Sequence, residues 1–422
     1  MSNIKTISAR EIISSGGAPT VEAKVILDSG VEGRASVAFG ASTGSREAVT
    51  LVDGDEKRFG GRGVLLAIKN VEEKIGPELA GMEVTEQVAI DKKMIELDGT
   101  EQKSNLGGNA ILAVSLAVAR AGAKENNLEL YEYLGKIYGL DRVVRLPKPM
   151  VVMIEGGKHA DKTTDLQEYL VSALGERSIR EMVRMEMEIY EELKKILKVE
   201  GLSVNVGNEG AFAPSGIDDN EKPMRYLMRA IEAAGYKAGV DCGISLDAAG
   251  SEFFDVSNKI YDLRIGQKKL TSDELIEYYG QWIGKYPFVS WEDMLDENDW
   301  EGWVKLTEKI GGKFPNIADD LTVTNTKLLM KAAESNSASG IIIKLNQAGT
   351  LTETIECCKL AKEKGWWVIP SHRGGGETND TFMVDLAVAV GAEYIKCGPT
   401  RGERVEKYNR LMEIEEQLRV TS

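Results

Sequence analysis

The sequence predicts an α/β protein in two parts, an N-terminal α+β domain followed by a barrel built from repeated βα units. Three observations carry this. The 422-residue length exceeds what one small hydrophobic core serves, so two domains are expected. The N-terminal stretch alternates with the period of a hairpin and then turns helical. Beyond Leu146 the texture changes to short apolar runs, each ending in a polar or ionisable residue and followed by a helical segment.

In the first part, Val21, Ala23, Val25 and Leu27 share one face. Asp28, Ser29 and Gly30 supply a turn, and Val31, Gly33, Ala35 and Val37 continue the pattern. Helical patterns follow over roughly 62–79, 85–98 and 107–124, which predicts an α+β domain over residues 1–135. In the second part, residues 143–422, the runs read GISLDAA, FVSWED, PNIADD, GIIIKLNQ, WWVIPSHR and AEYIKCGP. Their polar ends are Asp247, Glu292, Asp319, Lys344, His372 and Lys396, and from Glu292 onward the steps are 24 to 28 residues. One strand plus one helix fits each step. A (β/α) barrel gathers its functional residues at the C-terminal ends of its strands. The stripe of Met182, Met185, Ile189, Leu193 and Ile196 has helical spacing and reads as core packing.

Composition narrows the function. A formal charge of −15 argues against a nucleic-acid partner, which would need clustered Lys and Arg. The four cysteines show no metal-ligand spacing and read as reduced thiols. No apolar run has the length of a membrane span, and the first residues do not read as a signal peptide, so a cytoplasmic protein is expected.

The strand ends carry the chemistry. A single Asp in a βα loop reads as a helix N-cap. Three acids at successive strand ends, Asp247, Glu292 and Asp319, followed by Lys344, read instead as oxygen ligands for a hard cation such as Mg2+. The chain's two histidines, His159 and His372, both lie in glycine-rich loops, where binding residues collect. Arg373, followed by three glycines, is suited to an anionic phosphate.

The strings PTVE, GASTGSREA, LDGTEQKSNLGGNAILAVSLAVARAGA, DLQEYLV, GNEGAFAPS, SLDAAGSEFF, EDMLDENDWEGW, ADDLTVTN, KLNQAGTLTET, SHRGGGETNDTF and GERVEKYNRL resemble those of the enolase family, in the family's order and across nearly the whole chain. The resemblance implies an N-terminal capping domain on a modified (β/α)8 TIM-type barrel. It also implies Mg2+-dependent interconversion of 2-phospho-D-glycerate and phosphoenolpyruvate, a reaction of glycolysis and gluconeogenesis, in a homodimer or higher homo-oligomer. By this resemblance Asp247, Glu292 and Asp319 match the metal ligands, Lys344 the base that removes the α-proton, and Glu209 the acid that helps expel the hydroxyl. His159, Glu168, Arg373 and Lys396 match substrate-binding or supporting positions. His372 matches the histidine before the phosphate-binding arginine. The chemistry of the residues agrees. A proton α to a carboxylate is very weakly acidic, so a lysine base needs positive charge nearby, such as Mg2+, to stabilise the doubly charged product of its removal. Positive neighbours of Lys344 are expected to lower its pKa, and Glu209 must stay protonated.

Departures from the family cluster in the lid and phosphate loops. Phe39 stands where the family has a serine that binds a second metal ion through hydroxyl and carbonyl. One Mg2+ site is therefore expected, and a second lacks a ligand. Asn208 replaces an Asp beside Glu209, Glu155 and Lys158 replace an Asn and a Ser before His159, and Gly16 and Ala18 replace an Arg and an Asn. Gly374 replaces a phosphate-contacting serine, one glycine is added after it, and KCGPTRGER is one residue short. Three readings follow: an ordinary enolase, a family lyase acting on a different phosphorylated or phosphonate carboxylate, and a low-activity scaffold with the enolase fold.

Overall fold

The computed structural model describes residues 2–40, 46–140 and 145–421. Part of the GASTGSREA motif, residues 41–45, and residue 143, where the second domain is expected to begin, lie outside the described residues.

The N-terminal part opens with an antiparallel three-stranded sheet: β1 (Ile4–Ile13), β2 (Pro19–Leu27) and β3 (Glu32–Ser36). The predicted hairpin is β2–β3. The first strand is not predicted, because Lys5, Arg10 and Glu11 and an irregularity between Ile4 and Thr6 obscure its alternation. The three predicted helical stretches appear as 65–79, which contains a π-helical turn at Val71–Ile75, then Gln87–Asp98 and Gly108–Glu125. A further helix, Leu130–Tyr138, carries a capping box between Glu129 and Glu132.

The buried face of the sheet lies on helix Gly108–Glu125, and Gly33 makes the approach possible. A Cβ at Gly33 would collide with the backbone of Ala117 and Ala121. That helix is buried along most of its length, yet among the described residues no helix is long and apolar enough to cross a membrane.

The strands of the second part begin with β4 (Lys148–Glu155), β5 (Glu168–Ala173) and β6 (Cys242–Asp247). A short hairpin sheet of β7 (Phe254–Asp255), β8 (Ile260–Leu263) and β9 (Lys268–Leu270) follows. Then come β10 (Phe288–Glu292), β11 (Asn316–Ala318), β12 (Gly340–Ile343), β13 (Trp367–Pro370) and β14 (Tyr394–Cys397). Apart from the hairpin sheet, they form one eight-stranded sheet in the order β13-β12-β11-β10-β6-β5-β4-β14. It closes on itself where Ser371 bridges Lys396 and the His372 N–H donates to the Lys396 carbonyl at 3.2 Å. Met150, Val152, Leu170, Ile317, Ile342 and Ile369 form a cluster of their own, as inward-facing layers of a packed barrel do.

Strand β5 breaks the simple barrel pattern, running antiparallel to both β4 and β6. The six runs read from sequence are β6 and β10 to β14. Strands β4 and β5 are not predicted from pattern, because both are buried almost throughout and show no alternation.

The N-terminal part is strapped over the strand ends. Ser36 N–H donates to Asp380 at 2.9 Å, Arg120 holds both oxygens of Asp380, and Phe39 N–H donates to the Gly376 carbonyl at 2.7 Å. Gly33→Ala is expected to cost about 1–3 kcal/mol by overpacking the sheet against the helix. A thermal melt checks this, and an unchanged midpoint would contradict the packing described.

Candidate active site

Strand ends place nearly every ionisable group of the site. Asp247 ends β6 and Glu292 ends β10, and the two are register partners. Glu168 begins β5, and because that strand is reversed its first residue lies beside Asp247 on one side and Glu155 on the other. Asp319 follows β11, Lys344 follows β12, His372 and Arg373 follow β13, and Lys396 lies within β14. Glu209 comes from the loop whose Phe212 bridges to Ile154 of β4. Glu292 lies beneath Lys396. The other predicted residues, namely Asp247, Asp319, Lys344, His159, Glu168, Glu209, His372, Arg373 and Lys396, line one cleft of about 610 Å³.

The floor of the cleft is organised by Lys396. Its Nζ lies 2.7 Å from both oxygens of Glu292, 2.9 Å from Glu168 Oε2 and 3.1 Å from Asp247 Oδ2. All four side chains are buried. Burial opposes the ammonium charge, but Asp247, Glu168 and Glu292 outweigh it and hold the Lys396 pKa well above the usual lysine range. Burial and the Asp247 charge push Glu292 well up, against the pull of Lys396. Beneath the acids the hydroxyls of Ser172, Ser245 and Ser290 link at 2.8 and 2.9 Å, so this polar stack satisfies itself.

On the next strands Lys344 forms an ion pair with Asp319, whose other oxygen accepts from Gln347 Nε2 at 3.0 Å. Opposing effects act on the Lys344 pKa. Burial, Arg373 and Lys396 do act to lower it, but the Asp319 carboxylate beside the ammonium prevails, and the pKa is raised. The next acids, Asp293 and Asp320, are spaced so closely to Asp319 that burial and mutual repulsion push Asp320 up to about 7 and Asp293 well above its ordinary value. Asp293 is held at φ 43° and accepts the N–H groups of Asp319 and Asp320, so it shapes the loop.

Across the mouth, Glu209 Oε1 lies 3.2 Å from His159 Nδ1 and 3.3 Å from His372 Nε2. Arg404 Nε donates to His372 Nδ1 at 3.1 Å, which leaves the proton of that ring on Nε2, facing Glu209. Burial favours the neutral form of Glu209, yet the two imidazoles hold its pKa well below the usual carboxylate range. Arg373 pairs with Glu47 of the N-terminal part at 3.2 Å, so the cap contributes an acid to the cleft that sequence pattern does not single out.

The rebuilt loops have physical consequences. A Cβ on Gly374 would sit 2.6 Å from the His159 ring and 2.8 Å from Glu209 Oε1, so no serine fits there in this arrangement. Phe39 is buried, and its carbonyl lies where a Cβ on Gly376 would have to go.

Asp247, Glu292 and Asp319 offer only carboxylate oxygens, and each is already matched with an ammonium group, so the position calls for positive charge. The chemistry of that donor set suits a hard divalent cation, while among the described residues the three carboxylates grouped within 4.8 Å of one another are those of Asp293, Asp319 and Asp320. Three buried acids face two lysines across a barrel mouth, under an N-terminal cap. The enolase C-terminal TIM barrel domain matches residues 143–422 and the enolase N-terminal domain matches residues 4–134. The chain belongs to the enolase family. Membership supports lyase activity of the enolase-superfamily kind, and the family typically binds Mg2+.

Lys396→Met would leave Glu168, Asp247 and Glu292 facing one another without their lysine. In metal-free buffer it is expected to cost about 3–5 kcal/mol. Carboxyls with raised pKa values bind protons more tightly folded than unfolded, so stability falls as pH rises and the loss should be larger near pH 8 than near pH 5. Urea denaturation at both pH values checks this, and an equal loss at both would contradict it.

Proposed function

We propose that the chain catalyses the Mg2+-dependent, reversible dehydration of 2-phospho-D-glycerate to phosphoenolpyruvate. The observation that carries this reading is the placement of a half-buried lysine, Lys344, and a buried glutamate, Glu209, across one cleft that also holds Arg373 and two of the candidate metal ligands. Lys344 is the base for the proton α to the carboxylate, and Glu209 is the acid that hands a proton to the departing hydroxyl, which leaves as water. Asp247, Glu292 and Asp319 would hold the Mg2+, which would supply positive charge against the negative charge that builds up as the proton leaves. Lys396 holds Glu168, Asp247 and Glu292 in position, and Arg373 with the glycines after it receives the phosphate.

A second reading has its own observation. The space a serine would need at residue 374 is taken by the His159 ring and Glu209. That favours a related phosphorylated or phosphonate carboxylate whose anionic group is held by backbone N–H groups and Arg373. A third reading, an inactive scaffold, is disfavoured because a scaffold gains nothing from the cost of burying so many like charges.

Absorbance of phosphoenolpyruvate formed from 2-phosphoglycerate with Mg2+ separates the three. Rapid turnover removes the second and third readings. Mg2+ binding without turnover favours the second, and failure to bind Mg2+ favours the third. On the substrate that is turned over, Lys344→Ala is expected to slow exchange of the α-proton with solvent by about 10³-fold. Glu209→Gln should keep that exchange and slow hydroxyl loss by a similar factor. Equal loss of both steps in Glu209→Gln, or exchange at the parent rate in Lys344→Ala, would contradict the division of roles.

A further inference from the structure

Glu155 ends β4 and is fully buried directly behind Glu209. Its Oε1 accepts the N–H of Glu209 at 3.2 Å and of Ala211 at 3.0 Å, and its Oε2 lies 3.1 Å from the Glu209 backbone nitrogen. Carboxylate oxygens of Glu155 and Glu209 and a ring nitrogen of His159 lie within 4.8 Å of one another. Gly207 makes room for this arrangement, since a Cβ there would collide with Glu155 Cδ.

We propose that Glu155 is a positioning residue that forms with Glu209 a carboxyl pair sharing one proton, and so keeps an acid available at Glu209. The inference rests on the acid role given to Glu209 above. Two buried carboxylates this close, with only backbone N–H groups on one of them, cannot both carry a charge at little cost. The geometry also accounts for a departure noted in the sequence. The carboxylate missing beside Glu209 at Asn208 is replaced by one at Glu155, on a different element but against the same backbone.

The surroundings of the pair are defined on every side. Glu209 faces His159 from the loop after β4 and His372 from the end of β13, with Arg404 behind His372. Arg401 donates to the carbonyls of Gly207 and Asn208. Glu155 faces Glu209, His159 and its β5 partner Glu168. Burial and the Glu209 charge push Glu155 up to about 8, while the imidazoles hold Glu209 low, so in this state the proton of the pair lies on Glu155. A proton drawn to Glu209 leaves Glu155 as the anion whose repulsion favours that transfer. In the elimination the proton passes from Glu209 to the departing hydroxyl, the C–O bond breaks, and water leaves.

The test is a pH titration of the side-chain carboxyls in the substrate-free full chain, carrying 13C-labelled glutamate and followed by NMR. It needs no turnover, so it decides the point even if the proposed reaction fails. In the parent chain Glu155 and Glu209 should titrate as a coupled pair. Glu209→Gln removes the charge that faces Glu155, and should lower the Glu155 midpoint by at least about one pH unit, tenfold in proton affinity. Asn208→Asp alone, which adds a carboxylate beside the pair, should raise the Glu155 midpoint, which keeps the test available if Glu209→Gln does not fold. A Glu155 midpoint that neither change moves would overturn the proposal. With an active substrate, Glu155→Gln should slow hydroxyl loss at least tenfold near pH 8 with α-proton exchange little changed, and Asn208→Asp should rescue it. Equal slowing of both steps without rescue would also overturn it.

Discussion

The ammonium group of Lys396, set among Glu168, Asp247 and Glu292, is the interaction on which the rest of the site depends. Buried carboxylates this close repel strongly in a medium that solvates them poorly, and they stay in place only if a positive charge lies between them. Several features of the barrel follow from that need. The register of β6 with β10 sets Asp247 beside Glu292, the reversal of β5 brings Glu168 up to Asp247, and closure of β13 on β14 delivers the lysine. A slip of one residue in any of these strands would turn its acid to the opposite face. The same electrostatics explains why the next acid along, Asp319, is found with Lys344.

Legibility in the sequence follows strand direction. In a parallel strand the polar residue that closes an apolar run lies at the mouth, so Asp247, Glu292, Asp319, Lys344, His372 and Lys396 can be picked out from pattern. Glu168 precedes its apolar run, because β5 is antiparallel and its first residue is the one at the mouth. Glu209 belongs to no strand, and its place depends on the buried carboxylate of Glu155 behind it. These two residues are legible only through family resemblance, and the register and the hydrogen bonds to Glu155 supply the physical reason for their positions. The first strand, β1, and helix Leu130–Tyr138 are not legible, because charged residues and a short amphipathic span blur the period. The pKa directions at Lys344 and Glu209 are set by particular pairs, with Asp319 and with the two imidazoles, and a sequence shows which charges are near but not which of them pair.

The cap completes the walls of the cleft. Glu47 reaches Arg373, and Gln347 of the barrel lies between Glu47 and Asp319, so the N-terminal part is wired into the anion-binding side of the site. The contact of Phe39 with Gly376 and of Gly16 with Gly375 is backbone against backbone. The lost side chains of the first loop and the added glycine therefore belong to one change, a tighter seam between cap and phosphate loop. On the proposed function, substrate selectivity would be set along that seam, while Lys344, Glu209 and the candidate metal carboxylates belong to the barrel beneath it.

The most direct measurement of the central claim, that these strand-end acids form a cation site, is Mn2+ binding followed by electron paramagnetic resonance in the parent chain and in Glu292→Gln. The account predicts bound Mn2+ that Mg2+ displaces in the parent, and an affinity weakened by at least about 100-fold in the variant. Equal binding in the two proteins would contradict it.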